Sequence, residues 1–104
     1  MDLAKTNRYI DLYAVYKALL TSKQRDIFEL YFYSNLSYAE IAEDQKISRQ
    51  AVKCSLDSAL QSLNHYETAL NFAEKLAEIE KIVSGKQDAH LDHIARILGL
   101  NAKN

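Results

Sequence analysis

Proline is absent from this chain, and its two glycines, Gly85 and Gly99, both lie towards the C-terminal end. Sheets need tight turns, and those turns draw on glycine and proline. A stretch of 84 residues without either therefore points to helices joined by short polar turns. The expected fold class is all-α. With 104 residues in total, one domain with a core independent of disulfides or metals is the natural size match.

The pattern of apolar residues agrees. Tyr9, Tyr13, Tyr16 and Leu20 recur at helical spacing, with Ile10 and Leu19 widening the stripe, and predict a first helix over residues 3–20. The tyrosines read as core and boundary packing. Thr21 with Gln24 forms a capping box for a second helix reaching about Tyr33. Ile27, Leu30 and Tyr31 lie on one side of that helix and Phe28 and Phe32 on another, so it needs cover from more than one direction. Ser37 with Glu40 starts a short third helix over 38–44, with Ile41 and Ala42 facing inward, and Ser48 caps a fourth helix to about Leu63. The buried stripe of that fourth helix is Val52, Leu56, Ala59 and Leu63. His65 and Tyr66 mark a joint, and a long helix follows over 67–84. Ser84 to Gln87 is a break, Asp88 caps a last short helix, and Gly99 closes it. The domain expected is thus residues 1–84, with 85–104 as a short C-terminal helix and tail.

The segment SYAEIAEDQKISRQAVKCSL, residues 37–56, carries the functional information. A short helix, a turn of about four residues and a longer helix make a helix-turn-helix. Ala42 is small where the two helices cross, and Ile41, Ile47, Val52 and Leu56 form the miniature core that sets their angle. The turn places Gln45-Lys46 where a left-handed residue is needed, which costs a non-glycine residue about 1 kcal/mol. Ser48 leaves the first turn of the longer helix exposed. Arg49, Gln50 and Lys53 are then the side chains able to reach base edges, Arg to guanine and Gln to adenine. Lys46, Lys23 and Arg25 are the accompanying candidates for phosphate contacts.

Charge argues for weak binding. The chain holds 13 basic and 14 acidic residues. Within 37–64, Glu40, Glu43, Asp44 and Asp57 outnumber Lys46, Arg49 and Lys53, whereas phosphate contacts supply most non-specific affinity. Asp57 stands on the reading side and repels phosphate.

Residues 20–53 resemble the C-terminal helix-turn-helix region (region 4) of sigma-70-type factors. From about Lys5 to Val83 the chain resembles more closely the YlxM family of small bacterial proteins. The marks are KTNR (Lys5 to Arg8), LLTSKQ (Leu19 to Gln24), ELYF (Glu29 to Phe32), SYAEIAE (Ser37 to Glu43), SRQAV (Ser48 to Val52) and Tyr66-Glu67 at the entry to a long helix. The combination is specific, although SRQAV alone is common among transcription factors. Residues 87–104 fall outside it. The resemblance implies a non-enzymatic accessory or regulatory protein of the bacterial signal recognition particle pathway. Its implied ligands are DNA or the particle's RNA, and its implied protein partners are the particle's GTPase and that enzyme's receptor. The alternatives are a DNA-binding transcriptional regulator and a dimeric interaction scaffold without a nucleic acid ligand.

The remaining chemistry is thin. His90 and His93 are three apart on the last helix, short of a zinc ligand set, and neither a metal nor a cofactor is expected. Cys54 falls on the outward side of the fourth helix without a histidine near it in sequence, and no nucleophile or phosphate-cradling loop is readable. A single cysteine and the lack of a readable signal or apolar span fit a reducing, cytoplasmic location without membrane insertion. Leu70, Leu76, Ile79 and Val83 need cover, and a two-fold homodimer through that helix is the expected way to supply it.

Overall fold

The computed structural model describes residues 1–84 and 89–99. Among them it has six α-helices and no strand: α1 Leu3–Tyr16, α2 Ser22–Phe32, α3 Tyr38–Gln45, α4 Arg49–Leu70, α5 Phe72–Ser84 and α6 Ala89–Leu98. The Ser84–Gln87 break and the Asp88 cap fall on residues outside the described ones, apart from Ser84 itself, which ends α5. The chain divides into two compact units, residues 1–70 and 71–104.

In the first unit each start signal works as its chemistry requires. The Thr21 hydroxyl accepts from the Gln24 amide at 3.1 Å while the Gln24 side chain accepts from the Thr21 N–H at 2.9 Å. Ser37 and Glu40 repeat the exchange at the start of α3. Such boxes satisfy two of the amides that a helix start otherwise leaves open. The Ser48 hydroxyl accepts from the Ala51 amide at 3.0 Å, so α4 begins where its sequence says it should.

The turn between α3 and α4 closes on a left-handed residue. Lys46 adopts φ 57°, ψ 45°, and the Ile47 amide donates back to the Ala42 carbonyl at 3.0 Å. This is the ending usually given to glycine, here made by a lysine with a Cβ. Gly99 does the same after α6 with φ 76°.

The core of this unit is aromatic on one side and aliphatic on the other. Tyr13 stacks on Phe28 with centroids 4.1 Å apart, and Phe28 meets Phe32 at 4.4 Å. The Tyr13 hydroxyl donates to the Glu29 carboxylate, and burial followed by that bond pushes the phenol well above its ordinary value. On the other side Val52, Leu56, Ala59 and Leu63 of α4 are all fully buried, with Ile27 and Ile41. So α2 is indeed covered from two directions.

Three expectations need correction. Residues 65–66 are not a joint: α4 runs unbroken to Leu70, and the break falls at Asn71, φ 51°. Tyr66 packs on Tyr16 at 5.9 Å, and the Tyr16 hydroxyl donates to Glu67, so the extra turns of α4 serve to carry α1. The long helix expected over 67–84 is therefore the end of α4 followed by α5. Leu19 does not widen the core stripe. The chain leaves α1 at Tyr16 for a 3-10 turn, Lys17–Leu19, whose tighter winding leaves Leu19 54% exposed.

In the second unit α5 and α6 pack on each other. The Asn71 carbonyl accepts from the Lys75 amide at 3.2 Å and so begins α5. Among the described residues no helix is long and apolar enough to cross a membrane.

Replacing Lys46 by glycine removes the Cβ from a left-handed position and is expected to stabilise the first unit by about 1 kcal/mol. Thermal unfolding followed by circular dichroism should show a midpoint raised by about 4–8 °C for a domain of this size.

Candidate nucleic-acid interface

Burying one face of α4 sets the other face outward. Arg49, Gln50, Lys53, Cys54 and Asp57 are all exposed, and they occupy the sector of α4 that flanks the buried Val52, Leu56 and Ala59, with Arg49 at its first position. The helix-turn-helix crossing thus presents the first turn of α4 to solvent.

Arg49 has no acceptor for its guanidinium among the described residues, and its backbone N–H and that of Gln50 have none either, because Ser48 occupies only the Ala51 amide. Open amides at a helix start favour an anionic ligand. The Gln50 side chain meets only the Cys54 sulfur, at 3.7 Å, a weak acceptor that it can leave. Lys53 is engaged: its ammonium pairs with Asp57 at 2.9 Å, one turn further on. The hydrogen bond to Asp57 raises the Lys53 pKa from its ordinary value. The Asp57 carboxylate is therefore not an isolated repulsive charge, but it claims the cation that a phosphate would use.

The accompanying cations separate. Lys46 is exposed in the turn itself, beside the reading helix. Lys23 is exposed in the first turn of α2, whose Gln24 donates to the Ser58 hydroxyl at 3.1 Å. Ser58 is nine residues along α4 from Arg49, about 13 Å along the axis and half a turn around it, so Lys23 stands away from the first turn of α4. Arg25 is committed to the fold. Its guanidinium donates to the Leu20 carbonyl at 2.6 Å and, at 3.4 Å, to the Lys17 carbonyl that already accepts from the Leu20 amide, so it fastens the end of the 3-10 turn. It is not a free phosphate ligand. By contrast the start of α3 is already filled, since the Glu40 carboxylate and Ser37 hydroxyl occupy it.

Tyr31 and Tyr38 were missed by the sequence reading as parts of this face. They pair at 5.6 Å with rings inclined at 35°, and with Ser37, Ala39 and Arg49 they line an apolar groove that opens beside the first turn of α4. Nothing in the spacing of the sequence joins position 31 to position 49.

The expected association residues also redistribute. Leu70 is 51% exposed at the end of α4, and Leu76 and Ile79 are half-buried on α5, but Val83 is 2% exposed in a single chain and has no free face to offer a second copy. Phe72 and Ile82, exposed by 45% and 56%, are apolar surface that the heptad-like reading left out. His90 and His93 are exposed, and no group of three His, Cys, Asp or Glu close enough to hold a metal occurs among the described residues.

Comparison with known proteins agrees with the helix-turn-helix fold. A family model described as "Putative helix-turn-helix protein, YlxM / p13 like" matches residues 3–98. A UPF0122 protein from an Exiguobacterium strain is 40% identical over 83 residues, covering 80% of this chain and 78% of the relative. One from Caldanaerobacter subterraneus is 47% identical over 70 residues, covering 67% of this chain and 60% of the relative. One from Bacillus licheniformis is 40% identical over 82 residues, covering 79% and 77%.

The Glu40 carboxyl is held below its ordinary range by the backbone and side-chain hydrogen bonds of Ser37. A group lowered in the folded state adds stability above its unfolded pKa and loses it as pH falls through the folded one. Acid titration of thermal stability should therefore show a fall over the carboxylate range that is shallower in Glu40→Gln, which keeps the capping geometry without the charge.

Proposed function

We propose, from the premise that this chain belongs to the YlxM/p13-like helix-turn-helix family, that it is a non-enzymatic regulatory protein that binds nucleic acid through the first turn of α4. The observation that carries this is the state of that turn. Arg49 and Gln50 are exposed, Arg49 has no protein acceptor among the described residues, and two backbone amides at the helix start are open beside it. Arg49 and Gln50 are the base-reading side chains, and Lys46 and the helix start meet phosphate. Lys53 joins only when released from Asp57. Binding of this kind is modest in affinity and only shallowly salt-dependent, because few free cations face the ligand.

The resemblance to YlxM proteins supports a place for this activity in the cytosolic signal recognition particle pathway, as a partner of the particle's RNA, its GTPase or the receptor. A DNA-binding transcriptional regulator is the alternative that the same turn supports. On α5 the exposed Ile82, beside the half-buried Leu76 and Ile79, favours a further property, self-association into a homodimer. This reading replaces Val83 by Ile82 in the interface and leaves Leu70, which belongs to the first unit, outside it.

Fluorescence anisotropy at low salt, with a duplex DNA and with a hairpin RNA, tests the binding reading. Arg49→Ala should weaken binding to the preferred probe by roughly tenfold, the effect of losing one bidentate base contact. Asp57→Asn should do the opposite. It frees Lys53, tightens binding and steepens the salt dependence by about 0.9 in the log–log slope, one added counterion released. Absence of binding to either probe, with Arg49→Ala indistinguishable from the parent protein, would remove this function. A change in GTP hydrolysis by the particle GTPase and its receptor on adding the protein would assign the pathway.

A further inference from the structure

The groove lined by Tyr31, Ser37, Tyr38, Ala39 and Arg49 has features that duplex binding does not use. Its floor is a pair of phenol rings, half-buried and inclined at 35° to each other. Its rim carries the Arg49 guanidinium, which has no acceptor among the described residues. It spans three elements, from the C-terminal half of α2 across the start of α3 to the first turn of α4. Tyr38 also lies in the field of the Lys53–Asp57 pair, which continues the same surface along α4. Burial, then neighbouring Tyr31 and Asp57, raise the Tyr38 phenol above its ordinary value.

We infer that this groove accepts one unpaired base of an RNA, stacked against Tyr31 and Tyr38 with Arg49 at its edge. The inference rests on the nucleic-acid reading above and specifies the ligand within it. Rings beside a guanidinium are the surface on which proteins hold splayed-out bases, and looped RNA is where such bases are presented. Stacking of this kind contributes without requiring charge. That suits a face where acidic residues offset the basic ones and where Lys53 is paired. A fully stacked duplex offers the groove no ring. Single strands also carry a lower charge density than duplex DNA and release fewer counterions per contact, so a face poor in free cations loses less by choosing them.

The test uses the full chain and a hairpin RNA carrying a fluorescent purine analogue at one unpaired loop position. Its controls are the same hairpin with the loop base paired, and a DNA hairpin of the same sequence. Tyr38→Leu keeps an apolar side chain of useful size but removes the ring, and Tyr38→Phe keeps the ring but removes the hydroxyl. The expected result is a roughly tenfold loss of loop-RNA affinity in Tyr38→Leu, little change in Tyr38→Phe, quenching of the analogue by the parent protein, and no effect of either variant on the paired control. Circular dichroism confirms that both variants fold. If Tyr38→Leu binds loop RNA like the parent while Arg49→Ala is still impaired, the base site is wrong and the nucleic-acid reading stands. If Arg49→Ala is unimpaired as well, both fail. Equal binding of the DNA hairpin would overturn the choice of RNA.

Discussion

Four apolar side chains on one face of α4, Val52, Leu56, Ala59 and Leu63, hold the first unit together. α1, α2 and α3 all pack against this helix, and each makes its most extensive helix contact there. Truncating one such leucine to alanine costs about 2–5 kcal/mol, a large share of the 5–15 kcal/mol by which domains are generally stable. The same stripe decides the exposed face. With Val52 and Leu56 turned inward, Gln50 and Lys53 are left to solvent and Arg49 is exposed where it opens the helix, so the ligand-facing turn is a by-product of the core.

What that turn can do is limited by its surroundings. A helix start with open amides and an unengaged arginine invites an anion, but Lys53 is held by Asp57, Arg25 by the carbonyls of Leu20 and Lys17, and the start of α3 by its own Glu40. Of the five candidate cations, Lys53 and Arg25 are therefore engaged inside the fold. The groove between Tyr31, Tyr38 and Arg49 provides the other kind of recognition, by ring surface instead of charge.

The helix-turn-helix was legible because its signals are local. Both capping boxes, the inward residues of α3 and α4, and the left-handed position at Lys46 lie within a few residues of the chemistry that fixes them. The reading went astray where a partner lay far along the chain. From the sequence His65-Tyr66 reads as a joint or a bend, but Tyr66 meets Tyr16, fifty positions earlier. Arg25 looked free because nothing in the sequence marks the 3-10 turn whose end it fastens. Two misses had visible clues. Lys53 and Asp57 stand at i, i+4, the spacing of helix ion pairs, and Asn71 is the residue type most tolerant of the left-handed conformation after glycine.

The most direct measurement of the central claim is amide chemical-shift mapping of isotope-labelled protein titrated with a hairpin RNA at low salt. Shifts concentrated at Ser48 to Lys53 and at Tyr31 and Tyr38 are the predicted result, since the core that exposes those residues also aligns them. Shifts confined to α5 and α6, with the start of α4 silent, would contradict it.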